Sequence, residues 1–167
     1  LQKKLKSILK VLYKFDLQYV FTYPNTDPGH EIIINEVNKF VKKHNSSIFV
    51  ESLGQNLYLN LMRHAKLMIG NSSSGFYEAP SYNLPVINIG NRQKGRLHSN
   101  NIINSSYDEK VLYDSISKGI SFNKKKLPNP YGNGNSSTFV IKKIKRIFFN
   151  NSKSYILNKK FRDIKKI

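Results

Sequence analysis

Short apolar runs that each stop at a polar, turn-rich segment and then give way to a helix-like pattern recur along most of this chain, and that alternation restricts the fold more than any other feature. Gln18-Tyr19-Val20-Phe21-Thr22-Tyr23 reads as a strand, ended by Pro24 and the turn segment Asn25-Thr26-Asp27-Pro28-Gly29. A helix follows over roughly His30 to Lys43, with Ile33, Val37, Phe40 and Val41 on its inner face. Ile48-Phe49-Val50 is a second strand, followed by a helix over Leu57 to His64. Leu67-Met68-Ile69 and Val86-Ile87-Asn88-Ile89-Gly90 are further strands, the latter introduced by Pro85. Continuous apolar strands separated by helices predict an α/β fold with a parallel sheet covered on both faces.

The flanks carry the same pattern less clearly. Leu1 to Phe15 has helix periodicity through Leu5, Ile8, Leu12 and Phe15, Ile102-Ile103 is a further short strand candidate, and Asp108 to Lys118 reads as a helix. Lys124 to Ser137 is a long loop rich in Lys, Pro, Gly and Asn, after which Ser136 or Ser137 caps a helix reaching Phe149. Tyr155 to Ile167 is a last helix candidate.

A chain of 167 residues can bury one α/β core but not two, so a single domain over residues 1–167 is the expectation. With no Cys there is no disulfide or thiolate chemistry, and His30, His44, His64 and His98 are too scattered to form a metal site. No apolar run is long enough to span a bilayer and no signal-peptide pattern is present, so a cytoplasmic location is expected. The net charge of +18 raises a nucleic-acid or anionic-surface partner. Lysine, asparagine and isoleucine are abundant throughout, however, and the basic excess is steepest from Ile141 to Ile167. No nucleic-acid module signature accompanies it, so that partner is not expected.

In a parallel sheet, ligands bind outside the C-terminal strand ends. Asn25 to Gly29, Glu51 to Gln55, Gly70 to Ser74 and Gly90 to Arg96 all follow strands and therefore belong on one rim. Within Ile69-Gly70-Asn71-Ser72-Ser73-Ser74-Gly75-Phe76-Tyr77-Glu78-Ala79-Pro80, a strand gives way to small hydroxyl residues and then to an amphipathic stretch starting at Phe76. Ser72, Ser73 and Ser74 suit an anion, a diphosphate above all, because amides at a helix start and small hydroxyls accept close approach. Gly75 lets the backbone come near. Glu78, about one turn further on, suits sugar hydroxyls and belongs away from phosphate. Arg92 and Arg96 can clamp phosphate oxygens with fixed donor forks, and Lys94 adds a mobile charge. Asn25 and Asp27 form an Asx-type turn or contact a nucleobase or ribose. A helix cap with a solvent-facing Glu78, and ordinary surface basicity, are the bland alternatives. The glycine spacing of dinucleotide sites and the Gly-Lys-Ser ending of phosphate loops are both lacking, which disfavours NAD and ATP hydrolysis; a nucleotide sugar needs neither.

These residues also carry a family resemblance. Gly70-Asn71-Ser72-Ser73-Ser74-Gly75 with Glu78-Ala79-Pro80, then Pro85 to Arg96, resembles the C-terminal domain of UDP-N-acetylglucosamine 2-epimerases, especially the hydrolysing type. The likeness extends to Tyr23 through Gly29 and to Asn129-Pro130-Tyr131-Gly132-Asn133-Gly134-Asn135. It implies a glycosyltransferase-B-like architecture with substrate between two Rossmann-like halves, this chain corresponding to the C-terminal, UDP-binding half. Ser72, Ser73 and Ser74 would then meet the diphosphate, Glu78 the ribose and Arg92 the pyrophosphate or its surroundings, with Asn25 near the uridine. The implied reaction eliminates UDP from UDP-GlcNAc and, in the hydrolysing type, adds water to give N-acetylmannosamine for sialic or related nonulosonic acids. It calls for no cofactor and no metal, and such enzymes often assemble as homo-oligomers.

Measured against that family, the chain lacks the N-terminal domain with most catalytic carboxylates and the first strand of the C-terminal domain, which implies an unpaired edge or gap in the sheet. Full epimerase activity is therefore not expected of this chain alone. Two other readings stay open at this stage, a nucleotide-sugar glycosyltransferase domain and a basic nucleic-acid-binding module.

Overall fold

Five short parallel strands, each flanked by helices, carry the chain in a computed structural model that describes residues 1–123, 127–150 and 157–158. The first unit, Leu1–Pro130, runs α1 (Gln2–Leu12), β1 (Tyr19–Thr22), α2 (His30–Lys43), β2 (Ser47–Val50), α3 (Gly54–His64) and β3 (Met68–Gly70). It continues with α4 (Ser74–Tyr77), a 3-10 helix (Ala79–Tyr82), β4 (Val86–Ile89), β5 (Ile102–Ser105) and α5 (Glu109–Ile120). The second unit, Tyr131–Ile167, contains α6 (Ser136–Asn150), whose side chains are all exposed. Where the sequence suggests one domain over 1–167, the chain divides into these two units. The helix expected over Tyr155 to Ile167 lies outside the described residues except for 157–158.

β4 shows why this sequence makes a two-faced sheet. All four of its residues are buried, and Val86 and Ile87 point to opposite sides. On one side Ile87 and Ile89 join Leu9, Val11 and Leu12 of α1, Phe40 of α2, and Leu112 and Ile116 of α5. On the other, Val86 packs with Met62 of α3, Ala79 and Leu84. The strands are hydrogen-bonded in parallel register, Ile69 to Ile87 and Ile87 to Ile103 among them, and helices cover both faces as the apolar strands require.

The strands do not form one continuous sheet. β1 pairs with β2, β3–β4–β5 form a second sheet, and no ladder joins β1 to β3. The family resemblance implies an unpaired edge or gap in the sheet, and β1 and β3 share no ladder. The two sheets meet instead through side chains: α1 packs against both α2 and α5, and its apolar face shares a core with Tyr19 and Phe21 of β1 and Ile69 of β3. Hydrophobic burial holds the seam without backbone hydrogen bonds across it.

A second departure lies after β3. The amphipathic stretch expected from Phe76 is only a single turn of α-helix, Ser74–Tyr77, followed by the 3-10 helix and a left-handed Asn83 with φ of 52°. Pro80 accounts for the break, because it has no N–H to donate and disfavours α-geometry at Ala79.

Candidate functional site

Loops after β3 and β4 bring the serine segment and the cationic loop together at the C-terminal ends of neighbouring strands. Their junction is one side-chain hydrogen bond, in which Gln93 Nε2 donates to the Asn71 carbonyl at 2.7 Å. Gln93 is only 4% exposed, whereas Arg92, Lys94 and Arg96 on the same loop all face solvent. The loop can turn this way because Gly90 and Gly95 adopt φ of 81° and 86°, a region that side chains with Cβ atoms resist.

The three serines have different surroundings. Ser72 Oγ accepts the Ser74 N–H at 3.3 Å, closing a small turn. Ser74 Oγ is turned inward, accepting from the Tyr58 hydroxyl at 2.9 Å and facing Met62 Sδ at 3.9 Å. The Ser73 hydroxyl makes no hydrogen bond among the described residues, and Ser73 contributes its carbonyl to the Phe76 and Tyr77 N–H groups. A helix of four residues aligns few peptide dipoles, so this helix start supplies little of the anion affinity expected of it.

Gly75 is buried, and a Cβ there would lie 2.8 Å from Val86 Cγ1, so its first role is to let α4 sit against β4. Asn101, fully buried, reinforces the same junction by donating to the Gly75 carbonyl at 3.3 Å and to the Leu84 carbonyl at 2.9 Å. Glu78 follows α4 and buries its Oε2 with no hydrogen-bond partner among the described residues. A carboxylate oxygen in that condition is an acceptor awaiting a donor.

Of the cations, Arg96 is already engaged. Its Nη1 donates to the Tyr77 hydroxyl at 2.6 Å, with the guanidinium 5.2 Å from the ring centre. Asn129 ties a later loop to the same place, donating to the Tyr77 carbonyl and to Ser81 Oγ, each at 2.8 Å. Asn25 and Asp27 are exposed on the loop after β1, in the other sheet, and the Asp27 carbonyl meets the His30 N–H and ring nitrogen at the start of α2. No hydrogen bond among the described residues joins them to the serine turn.

Gln93, Asn101 and Tyr58 are the residues that reading the sequence misses. Gln93 is the one uncharged side chain between Arg92 and Lys94, a faint cue, and the other two carry none. No group of three or more His, Cys, Asp or Glu among the described residues can hold a metal ion, and no helix among them is long and apolar enough to cross a membrane.

Parallel strands covered by helices on both faces, with polar loops at their C-terminal ends, define a Rossmann-like α/β domain. The family model for UDP-N-acetylglucosamine 2-epimerase matches residues 2–145, and the chain belongs to that family. It is 43% identical over 111 residues to a GDP/UDP-N,N'-diacetylbacillosamine 2-epimerase (hydrolyzing) of Campylobacter jejuni, covering 65% of this chain and 29% of that protein. It is 33% identical over 158 residues to a UDP-N,N'-diacetylbacillosamine 2-epimerase (hydrolyzing) of Legionella pneumophila, covering 92% of this chain and 40% of that one. The fold matches a Methanocaldococcus jannaschii UDP-GlcNAc 2-epimerase solved with UDP-GlcNAc and UDP, at a TM-score of 0.68 and 18% identity, over 87% of this chain and 41% of that one. The chain thus spans less than half the length of each of these proteins.

Proposed function

We propose that this chain is the UDP-gripping half of a UDP-sugar 2-epimerase of the hydrolysing type. The observation that carries the reading is the Gln93–Asn71 junction, which sets hydroxyls and cations side by side at the ends of β3 and β4. Ser72 and Ser73 offer hydroxyls to a diphosphate, and Arg92 offers a planar fork of donors to its oxygens. The buried Glu78 Oε2 accepts from ribose hydroxyls, while Asn25 and Asp27 lie toward the base.

In such a reaction the bond from the sugar's C1 to UDP breaks and negative charge grows on the departing diphosphate. Hydroxyls and a guanidinium fixed beforehand stabilise that charge without reorganising during the step. Proton removal from the sugar and addition of water fall to groups outside the residues discussed, in the half that completes the cleft. The product then is a 2-epimer such as N-acetylmannosamine, feeding sialic or related nonulosonic acids; the bacillosamine epimerases among the relatives support an N-acetylated UDP-sugar as substrate.

Calorimetric titration of UDP, UMP and ADP against this chain and its Arg92→Ala form tests the reading. UDP is expected to bind more tightly than UMP or ADP, and Arg92→Ala to remove most of the advantage over UMP. Equal, strongly salt-dependent binding of all three nucleotides by both proteins would instead mean a non-specific basic surface. Epimerase activity is expected only when the complementary half is present, because an open cleft leaves the reacting centre in water.

A further inference from the structure

The geometry points to a division of labour within loop 90–96: Gln93 is a positioning residue that locks the loop to the serine turn, and Arg96 is a second anchor rather than a phosphate ligand. Arg92 is left as the cation that meets the diphosphate. This rests on the UDP reading above.

Four observations carry it. Gln93 alone of four consecutive polar side chains, Asn91 to Lys94, is buried, at 4% exposure. Its bond to Asn71 spans twenty-two positions of sequence and ends on the residue that opens the serine turn. The loop's own bonds are local, Lys94 N–H to the Asn91 carbonyl at 3.0 Å and Arg96 N–H to the Gln93 carbonyl at 3.2 Å, so they shape the loop without placing it. Gln93 Oε1 is buried without a partner among the described residues, so the amide is held by the hydrogen bond that Nε2 donates to Asn71.

The donor matters here as much as the size. The acceptor is a backbone carbonyl, so Gln93→Glu would set oxygen against oxygen at unchanged volume, and Gln93→Met would fill the space with no bond. Arg96 anchors the far end of the loop through both a charge-assisted hydrogen bond and its ring contact with Tyr77. Its Nη1 and its packing are committed to Tyr77, which leaves fewer donors for a phosphate than the exposed Arg92 offers.

Calorimetric titration of UDP, UMP, ADP and AMP, with a thermal melt of each protein, tests this on the full chain and on Gln93→Glu, Gln93→Met, Arg96→Ala and Arg92→Ala. Gln93→Glu and Gln93→Met are expected to weaken UDP roughly tenfold while leaving UMP unchanged, the size of one oriented hydrogen bond lost from the site's geometry. Arg96→Ala is expected to show a smaller loss of the same kind, and Arg92→Ala the largest. An unchanged ratio of UDP to UMP affinity in both Gln93 variants overturns the positioning role. So does a proportionate loss of both nucleotides with a lowered melting point, which marks a residue needed only for folding. Arg96→Ala matching Arg92→Ala overturns the anchor assignment. A wild-type chain that binds UDP and ADP alike removes the uridine reading, yet leaves Gln93 testable through the ratio of ADP to AMP; binding of no nucleotide overturns both.

Discussion

The Tyr58 hydroxyl donates to Ser74 Oγ at 2.9 Å, and this bond separates Ser74 from its two neighbours in chemistry as well as in position. α3 reaches across to α4 and draws inward the hydroxyl that is third in the row, leaving the Ser73 hydroxyl unbonded among the described residues. Ser74→Ala strands the Tyr58 hydroxyl and is expected to cost about 1–2 kcal/mol of stability. Ser73→Ala is expected to leave stability within about 0.5 kcal/mol and to weaken UDP binding instead. Urea denaturation of the two variants, alongside UDP titration, separates the roles; equal stability losses would mean that the inward bond contributes nothing.

Two glycines press on the two faces of the same sheet with different latitude. A Cβ at Gly75 would lie 2.8 Å from Val86 Cγ1, on a stiff β-branched side chain, whereas at Gly119 it would lie 2.9 Å from the terminal Ile87 Cδ1. Gly75→Ala is therefore expected to destabilise by about 1–3 kcal/mol, and Gly119→Ala by less, since the Ile87 end can rotate away. Chemical denaturation of both variants gives the comparison, and the reverse order would show that Val86 yields more easily than its branching suggests.

The Asp108 carboxylate caps α5, accepting from the Lys110 and Val111 N–H groups at 3.0 Å each. Asp108→Ala is expected to lose about 1 kcal/mol and Asp108→Asn to recover most of it, since either cap supplies the acceptor oxygen. Thermal melts of the pair check it; no recovery by asparagine would assign the effect to charge.

Stability is expected to fall at both ends of the pH range for separate reasons. Hydrogen bonds from Gln2 at 3.0 Å and Lys39 at 3.1 Å hold the Glu36 carboxyl below its usual 4.5. The unfolded chain then binds more protons than the folded one as pH falls through and below 4.5, so this contribution is present above that value and lost with acid. Gln2→Leu should flatten that acid limb. At the other end, burial, with a smaller push from Asp16, raises the Tyr19 hydroxyl from 10.0 to about 12. Folded Tyr19 keeps its proton where an unfolded tyrosine has lost it, so stability falls as pH rises from 10.0 toward about 12. Phenolate absorbance followed with pH, against a Tyr19→Phe control, reports that step.

The elements were legible wherever local pattern decides structure. His30–Lys43 starts after a glycine and carries its apolar residues on one face, and it forms between the expected bounds. The strands were legible as apolar runs, and Val86–Ile89 is buried on both sides as such a run demands. The strand runs do not themselves state which strands touch; the family resemblance implied a gap in the sheet without placing it between Tyr19–Thr22 and Met68–Gly70. Helix length after β3 was misjudged because Phe76 suggested a continuing apolar face, while Pro80 acts through backbone geometry that a hydrophobic period does not register. At the site, the exposed cations announced themselves by charge. The residue that joins their loop to the serine turn did not, because a glutamine among cations resembles solvent-facing filler until its amide is seen against Asn71.

The seam between β1 and β3 also gives the first unit a grain. Within each sheet the strands are joined by backbone ladders; between the sheets the contact is made by side chains such as Leu12, Phe40 and Ile69 gathered around α1. Side-chain packing therefore sets how the two sheets are placed against each other. The loop bearing Asn25 and Asp27 belongs to one block and the serine turn to the other, and α1 acts as the keel that keeps the two in line.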